Sequence, residues 1–252
     1  MTEASVQERS YQNLVSSYLK IAMEFPDSEQ IQVGRFVGCR NKMDHPITNF
    51  LIGRSEHAGQ LVDGDLDFSE HAYLYVVGQE GELPVLENVY EWGNVYNLDC
   101  LIFNKPDVLD LAYQTPEPPT SQSQRQAVAQ FIVGQFFPSY RMEMRSQIVD
   151  GLVACADFEF YGLFQAPFSH IAAALMLFPD ADSQTLGIYC LCVEPSRRRR
   201  GVGSHLVRFA LNEAAKRSLL PVLQCNPLLT SWYQTKGFEL VDSVRVFGRK
   251  SG

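Results

Sequence analysis

At 252 residues the chain is long enough for one large domain or two small ones. Apolar residues at 46% and charged residues at 20% describe an ordinary soluble globular protein. No apolar run reaches the roughly eighteen residues of a spanning helix, and Met1-Thr-Glu-Ala-Ser5 lacks the basic-then-apolar order of a secretory signal. A cytoplasmic protein with no membrane partner is the expectation.

The net charge of −8 is unevenly shared. Residues 1–120 hold 7 Lys and Arg against 19 Asp and Glu, a net of −12, whereas residues 121–252 hold 14 against 10, a net of +4. Two units with different surfaces fit this split, as does an anionic cofactor on the basic half with a cationic amine near the acidic one. Solubility is the simpler explanation of the acidic half. The six cysteines (39, 100, 155, 190, 192, 225) contain no Cys-x-x-Cys pair. Most lie in apolar runs, which reads as buried free thiols in a reducing compartment and gives no metal site.

Residues 5–23 are expected to form a helix, with Leu14, Val15, Tyr18, Leu19 and Ile21-Ala22 on its apolar face, ended by Pro26. Ile31 to Val37 and Thr48 to Ile52 read as strands around a loop. Phe68 to Val77 is ambiguous, and Pro84 to Tyr90 and Val95 to Phe103 suggest two more strands. His45, His57 and His71 have no carboxylate or cysteine cluster beside them and read as surface or packing residues. Thr115-Pro-Glu-Pro-Pro-Thr-Ser-Gln-Ser-Gln124 is rich in Pro and Ser without an apolar residue, so a linker is placed there, after an acidic N-terminal α/β domain over 1–114. Helices over Arg125–Phe137 and Tyr140–Val149 follow, then paired strands over Phe158–Gln165 and His170–Phe178. A buried strand over Leu186–Val193, a helix after it, a strand over Val222–Cys225, a helix stopped by Gly237, and a last strand near Val244–Phe247 complete the order.

The stretch from Leu191 to Leu206 carries the chemistry. Between strand and helix stand Pro195, four arginines, Gly201 and Gly203. A glycine-rich turn lets backbone approach an anion closely, and the unpaired amides of the following helix point at it. Flanking guanidiniums add donors and steering. A pyrophosphate is the natural guest. No Gly-Lys-Ser/Thr follows, so this is not a Walker loop, and Leu206 stands where a dinucleotide fingerprint needs its third glycine or alanine.

Arg198-Arg-Arg-Gly201-Val-Gly203, with Val193-x-Pro195 before it, resembles the Arg/Gln-x-x-Gly-x-Gly/Ala loop of the GNAT superfamily of acyl-CoA N-acyltransferases. Downstream, Asn226, and seven residues later Tyr233 in a Tyr-x-x-x-Gly-Phe ending, match the family's second pattern. Leu229 and Trp232 depart from it. The resemblance covers residues 121–252 and implies an α/β (α+β) fold, a mixed, splayed central sheet flanked by helices, with the additional α/β N-terminal domain beside it. His45-Pro-x-x-Asn-Phe50 weakly resembles the degenerate first half of two-unit GNAT proteins.

The resemblance also implies roles. The backbone of Leu191, Cys192 and Val193 would bind the pantetheine arm of acetyl-CoA, and an amide there would polarise the thioester. Arg198, Arg199, Arg200, Gly201, Val202, Gly203 and Ser204 would hold the pyrophosphate. Asn226 would bind the pantetheine or a water, and Tyr233 would return a proton to the departing thiolate. The base is left unassigned, with Glu194, Asp157, Glu159, His170 and Tyr189 as the groups nearest the implied cleft; His205 reads as structural. The implied function is acetyl transfer to a primary amine by direct attack in a ternary complex. The alternative is a silent CoA-binding sensor. Four adjacent arginines on an acidic chain argue against a nucleic-acid partner, and a homodimer is left open.

Overall fold

The computed structural model describes residues 4–43, 45–57, 73–79, 92–104, 115–165 and 170–249. It divides into two compact units, Met1–Ile102 with Gln224–Gly252, and Phe103–Leu223. The expected division at 115–124 therefore differs from the observed one, because the last strand of the chain returns to the N-terminal unit.

In the first unit, α1 (Val6–Ala22) starts at an N-cap in which the Ser5 hydroxyl accepts from the Glu8 amide at 3.1 Å. Its inward face is Leu14, Ile21 and Ala22, as the apolar spacing requires, but it also buries Ser10, Asn13 and Ser17. The single strand expected over 31–37 is instead a hairpin, β1 (Glu29–Val33) and β2 (Phe36–Arg40). Gly34, at φ 58°, turns the chain there, a conformation that glycine adopts without cost. β3 (Phe50–Arg54) pairs antiparallel with β2 and parallel with β4 (Tyr73–Gly78). β5 is Trp92–Ile102. The last strand, β10 (Glu239–Arg249), pairs antiparallel with β4 on one side and β5 on the other. The core gathers Leu14, Phe50, Ile52, Tyr75, Val77, Val244 and Val246. Tyr18 meets Phe50 and Tyr75 edge-on, and the Tyr75 hydroxyl donates to the Pro46 carbonyl at 2.9 Å. The strand expected over 84–90 and His71 lie outside the described residues, whereas His57 closes a short 3-10 turn.

The expected linker lies within the second unit. Glu117 exchanges two backbone hydrogen bonds of 2.9 Å with Gly162, and Ser121 caps α2 (Gln122–Phe136). α3 is Met142–Ala154. β6 (Glu159–Gln165), β7 (His170–Asp180) and β8 (Thr185–Val193) form an antiparallel meander, with β9 (Leu220–Cys225) parallel to β8. α4 (Val202–Arg217) joins the two parallel strands, so its N-terminus stands at the carboxyl end of β8. Arg217 pins its other end to β6 through two bonds to Glu159, at 2.7 and 2.8 Å. The sheet is mixed and flanked by helices, as expected. It also splays: the β8–β9 pairing runs from Thr185/Leu220 to Ile188/Leu223 and stops.

Candidate functional site

Three features of the second unit make an anion cradle beside an open strand edge. β8 changes register against β7 between the pairs Ala174/Cys192 and Met176/Tyr189, so Cys190 and Leu191 together face Leu175. This is a bulge, with Cys190 at φ 50°. Beyond Ile188 no pairing of β8 with β9 is found among the described residues, which leaves backbone at 189–193 for an added strand.

The turn then rises through Pro195–Arg197, a short 3-10 segment, to Gly201 at φ 82°. Gly201 is the N-cap of α4 and offers no side-chain cap. The His205 amide is the first of the helix to bond back, to the Gly201 carbonyl at 3.0 Å. The amides of Val202, Gly203 and Ser204 precede it and have no acceptor within the helix. The helix dipole adds to their pull on a negative group. Arg199, at φ 60°, and Arg200 are exposed beside them. These residues suit a diphosphate.

Arg198 has another task. Its Nε donates to the Val193 carbonyl at 3.0 Å and its Nη2 to Gln135 Oε1 at 3.1 Å, so the side chain braces the strand-to-loop junction and α2. Glu194 anchors the same junction. Its amide donates to the Ala172 carbonyl at 2.9 Å, and its carboxylate meets His170 Nε2 at 3.0 Å and Arg197 Nε at 3.3 Å. The His170 hydrogen bond, helped by Ser196, holds that carboxyl below the usual carboxylate range. Glu159 is engaged with Arg217, and the Tyr161 hydroxyl donates to it at 3.1 Å. Tyr189 packs edge-on against Phe158. Burial raises the thiol of Cys190 to about 12 and that of Cys192 further, so neither offers a thiolate nucleophile at neutral pH. His205 is buried in the first turn of α4.

The second half of the pattern lies in the first unit. Asn226 is exposed and caps the 3-10 turn Pro227–Leu229, its Oδ1 accepting from the Leu228 amide at 2.9 Å. α5 (Thr230–Gln234) follows. Tyr233 is 6% exposed, its ring held edge-on by Trp232 at 4.7 Å and Phe238 at 5.6 Å. The departure at Trp232 thus supplies one wall of the tyrosine's pocket, and Lys236 lies over its ring at 5.5 Å. Burial, then the neighbouring Cys225, push the Tyr233 phenol well above its ordinary value. It is a neutral hydroxyl that keeps its proton across the physiological range. Among the described residues its hydroxyl has no hydrogen-bond partner.

One cluster has no signal in the sequence. Asp99, on β5, accepts from the Thr230 hydroxyl through Oδ2 and from the Ser243 hydroxyl at 3.2 Å through Oδ1. Thr230 also lies 3.7 Å from Cys225 Sγ. Burial raises that thiol to about 11, against the Thr230 hydrogen bond that lowers it. Asp99 and Thr230 are 131 positions apart, and no local pattern links them. Among the described residues no group of three His, Cys, Asp or Glu is placed to hold a metal ion, and no helix is long and apolar enough to cross a membrane.

A family model described as an acetyltransferase (GNAT) domain matches residues 152–240. Among solved structures, a GCN5-related N-acetyltransferase from Kribbella flavida is similar with a TM-score of 0.60 and 16% identity, covering 96% of each chain. A protein described as a GNAT-family acetyltransferase from Novosphingobium aromaticivorans reaches 0.56 at 17% identity, over 92% of this chain and 96% of its own. A conserved protein of unknown function from Staphylococcus epidermidis reaches 0.62 at 11% identity, over 89% and 95%. At such identities the likeness is one of fold. No curated protein matches.

Proposed function

With residues 152–240 identified as a GNAT acetyltransferase domain, we propose that the chain transfers an acetyl group from acetyl-CoA to a primary amine by direct attack in a ternary complex. The observation that carries this reading is the turn at Gly201, where a left-handed residue opens a helix whose first amides lack acceptors. In this reading the amides at 199–204 and the Arg199 and Arg200 guanidiniums hold the diphosphate. The backbone at Leu191, Cys192 and Val193 pairs with the pantetheine arm, on the edge that β9 leaves open beyond Ile188. The Val193 carbonyl is shared with Arg198, whose Nε donates to it at 3.0 Å. An amide at the bulge polarises the thioester carbonyl.

Tyr233 supplies the proton that the departing thiolate takes up, since its phenol is protonated at neutral pH, although burial makes it a weaker acid than a free tyrosine. Asn226 contributes its amide group to the pantetheine. Direct attack is favoured over a covalent acyl-enzyme because Cys190 and Cys192 hold their protons.

Thiol release from acetyl-CoA, measured against a panel of primary amines, tests the proposal. Amine-dependent release with an acetylated amine as product is expected, and loss of both in Arg200→Glu. A chain that binds CoA and releases no thiol with any amine would be a silent CoA sensor. A chain that binds no CoA would end both readings.

A further inference from the structure

The Asp99 cluster holds a negative charge without a positive one. Its two recorded hydrogen bonds come from neutral hydroxyls, and the groups that feel its charge, Cys100 and Cys225, are buried thiols. No Lys, Arg or His lies within ion-pair reach of it among the described residues. The carboxylate is only partly buried, so a ligand can reach it. A partly desolvated carboxylate in this setting favours a cationic guest.

Its place in the fold says what that guest is. Thr230, which donates to Asp99, and Tyr233, the proposed acid, stand three residues apart on α5 and so share a face. Cys225 connects them further, since its thiol lies against Thr230 and its charge state bears on the Tyr233 phenol. The nitrogen that attacks a thioester must be neutral. A nitrogen held against a carboxylate keeps its proton, because the opposite charge favours the ammonium form. One nitrogen therefore cannot be both anchored at Asp99 and acetylated.

We propose that Asp99, oriented by Thr230 and Ser243, is the receptor for a second, cationic nitrogen of the acceptor, so that the substrate class is a diamine or another amine carrying a separate ammonium group. This rests on the acetyl-transfer reading for its consequence, but the binding site stands on its own geometry. The first unit, residues 1–102 with 224–252, holds 10 Lys and Arg against 18 Asp and Glu, a net of −8 that draws such a cation toward it.

The test compares 1,4-diaminobutane with n-butylamine, which differ by the second nitrogen. Two measurements are made on the whole chain with CoA or acetyl-CoA present: calorimetric binding of each amine, and thiol release with each as acceptor. The diamine is expected to bind about tenfold to a hundredfold tighter than the monoamine, the range of a charge-assisted hydrogen bond. Asp99→Asn should erase that preference through the amine KM, leaving the acetyl-CoA KM and the thermal midpoint near those of the parent. Equal binding of the two amines, or a preference that survives Asp99→Asn, overturns the proposal. Failure of the acetyl-transfer reading shows separately, as absent thiol release with either amine, while the calorimetric comparison still decides for or against Asp99.

Discussion

The two halves of the GNAT pattern are built in opposite ways. The cradle at 194–204 is exposed, arginine-rich and made chiefly of backbone, whereas the half-buried Asp99 and the buried Tyr233 sit among side chains drawn from β5, α5 and β10. A backbone site depends on one dihedral angle at one residue. A side-chain site depends on many packed neighbours, each replaceable in part. The first should therefore fail abruptly and the second by degrees.

Gly201→Asp is the sharpest way to break that contrast. The substitution forces φ 82° on a residue with a Cβ and sets a carboxylate before the amide cluster. Acetyl-CoA affinity, measured by titration calorimetry, should fall by about a hundredfold or more. Tyr233→Phe comes next. It keeps both edge-on ring contacts and removes only the hydroxyl, so kcat should drop by about a hundredfold or more while CoA binding is retained. Equal losses in kcat and in CoA affinity would show that the hydroxyl holds the cofactor rather than supplying its proton.

The third prediction separates the units by pH. His45 is fully buried in the first unit, and its Nδ1 accepts from the Ile47 amide at 3.2 Å. Burial lowers its pKa to about 4. The unfolded chain takes up a proton near pH 6.5 that the folded chain refuses until about 4, so this contribution is full above 6.5 and is lost as the pH falls through that window. It amounts to at most about 3 kcal/mol, and His45→Asn should flatten the pH dependence of the thermal midpoint between 7 and 4.5. The smallest effect is expected from Arg198→Ala, which loosens the brace on Val193 and Gln135. CoA affinity should weaken by about threefold to tenfold, with the amine KM unmoved.

This contrast also explains which parts could be read from residues alone. Gly201, Gly203 and the Asn226–Tyr233 spacing are local signals, because turn and helix geometry lie within a few residues of each other. The helices at 6–22 and 122–136 announced themselves by apolar spacing, and Pro26 and Pro138 marked the breaks after them. The hairpin at Gly34 was hidden because apolar residues continue through it, from Ile31 to Val37, and a single glycine in such a run reads as a strand residue. The proline-rich stretch at 115–124 looked like a linker, yet Glu117 pairs with Gly162 and Ser121 starts a helix. Asp99 could not be read at all. Its partners lie on the far side of the chain, and a lone aspartate in a strand pattern carries no mark of the hydroxyls that will meet it.

The position of β10 sets an order of assembly. It is bonded along both edges, to β4 and to β5, so residues 239–249 fill the place between two strands made more than a hundred residues earlier. A nascent chain can close residues 103–223 on the ribosome, because all their partners are already synthesised. The N-terminal strands must wait with a strand-wide gap until the ribosome has finished residue 249, and throughout that interval β4 and β5 expose bonding edges to any extended segment nearby.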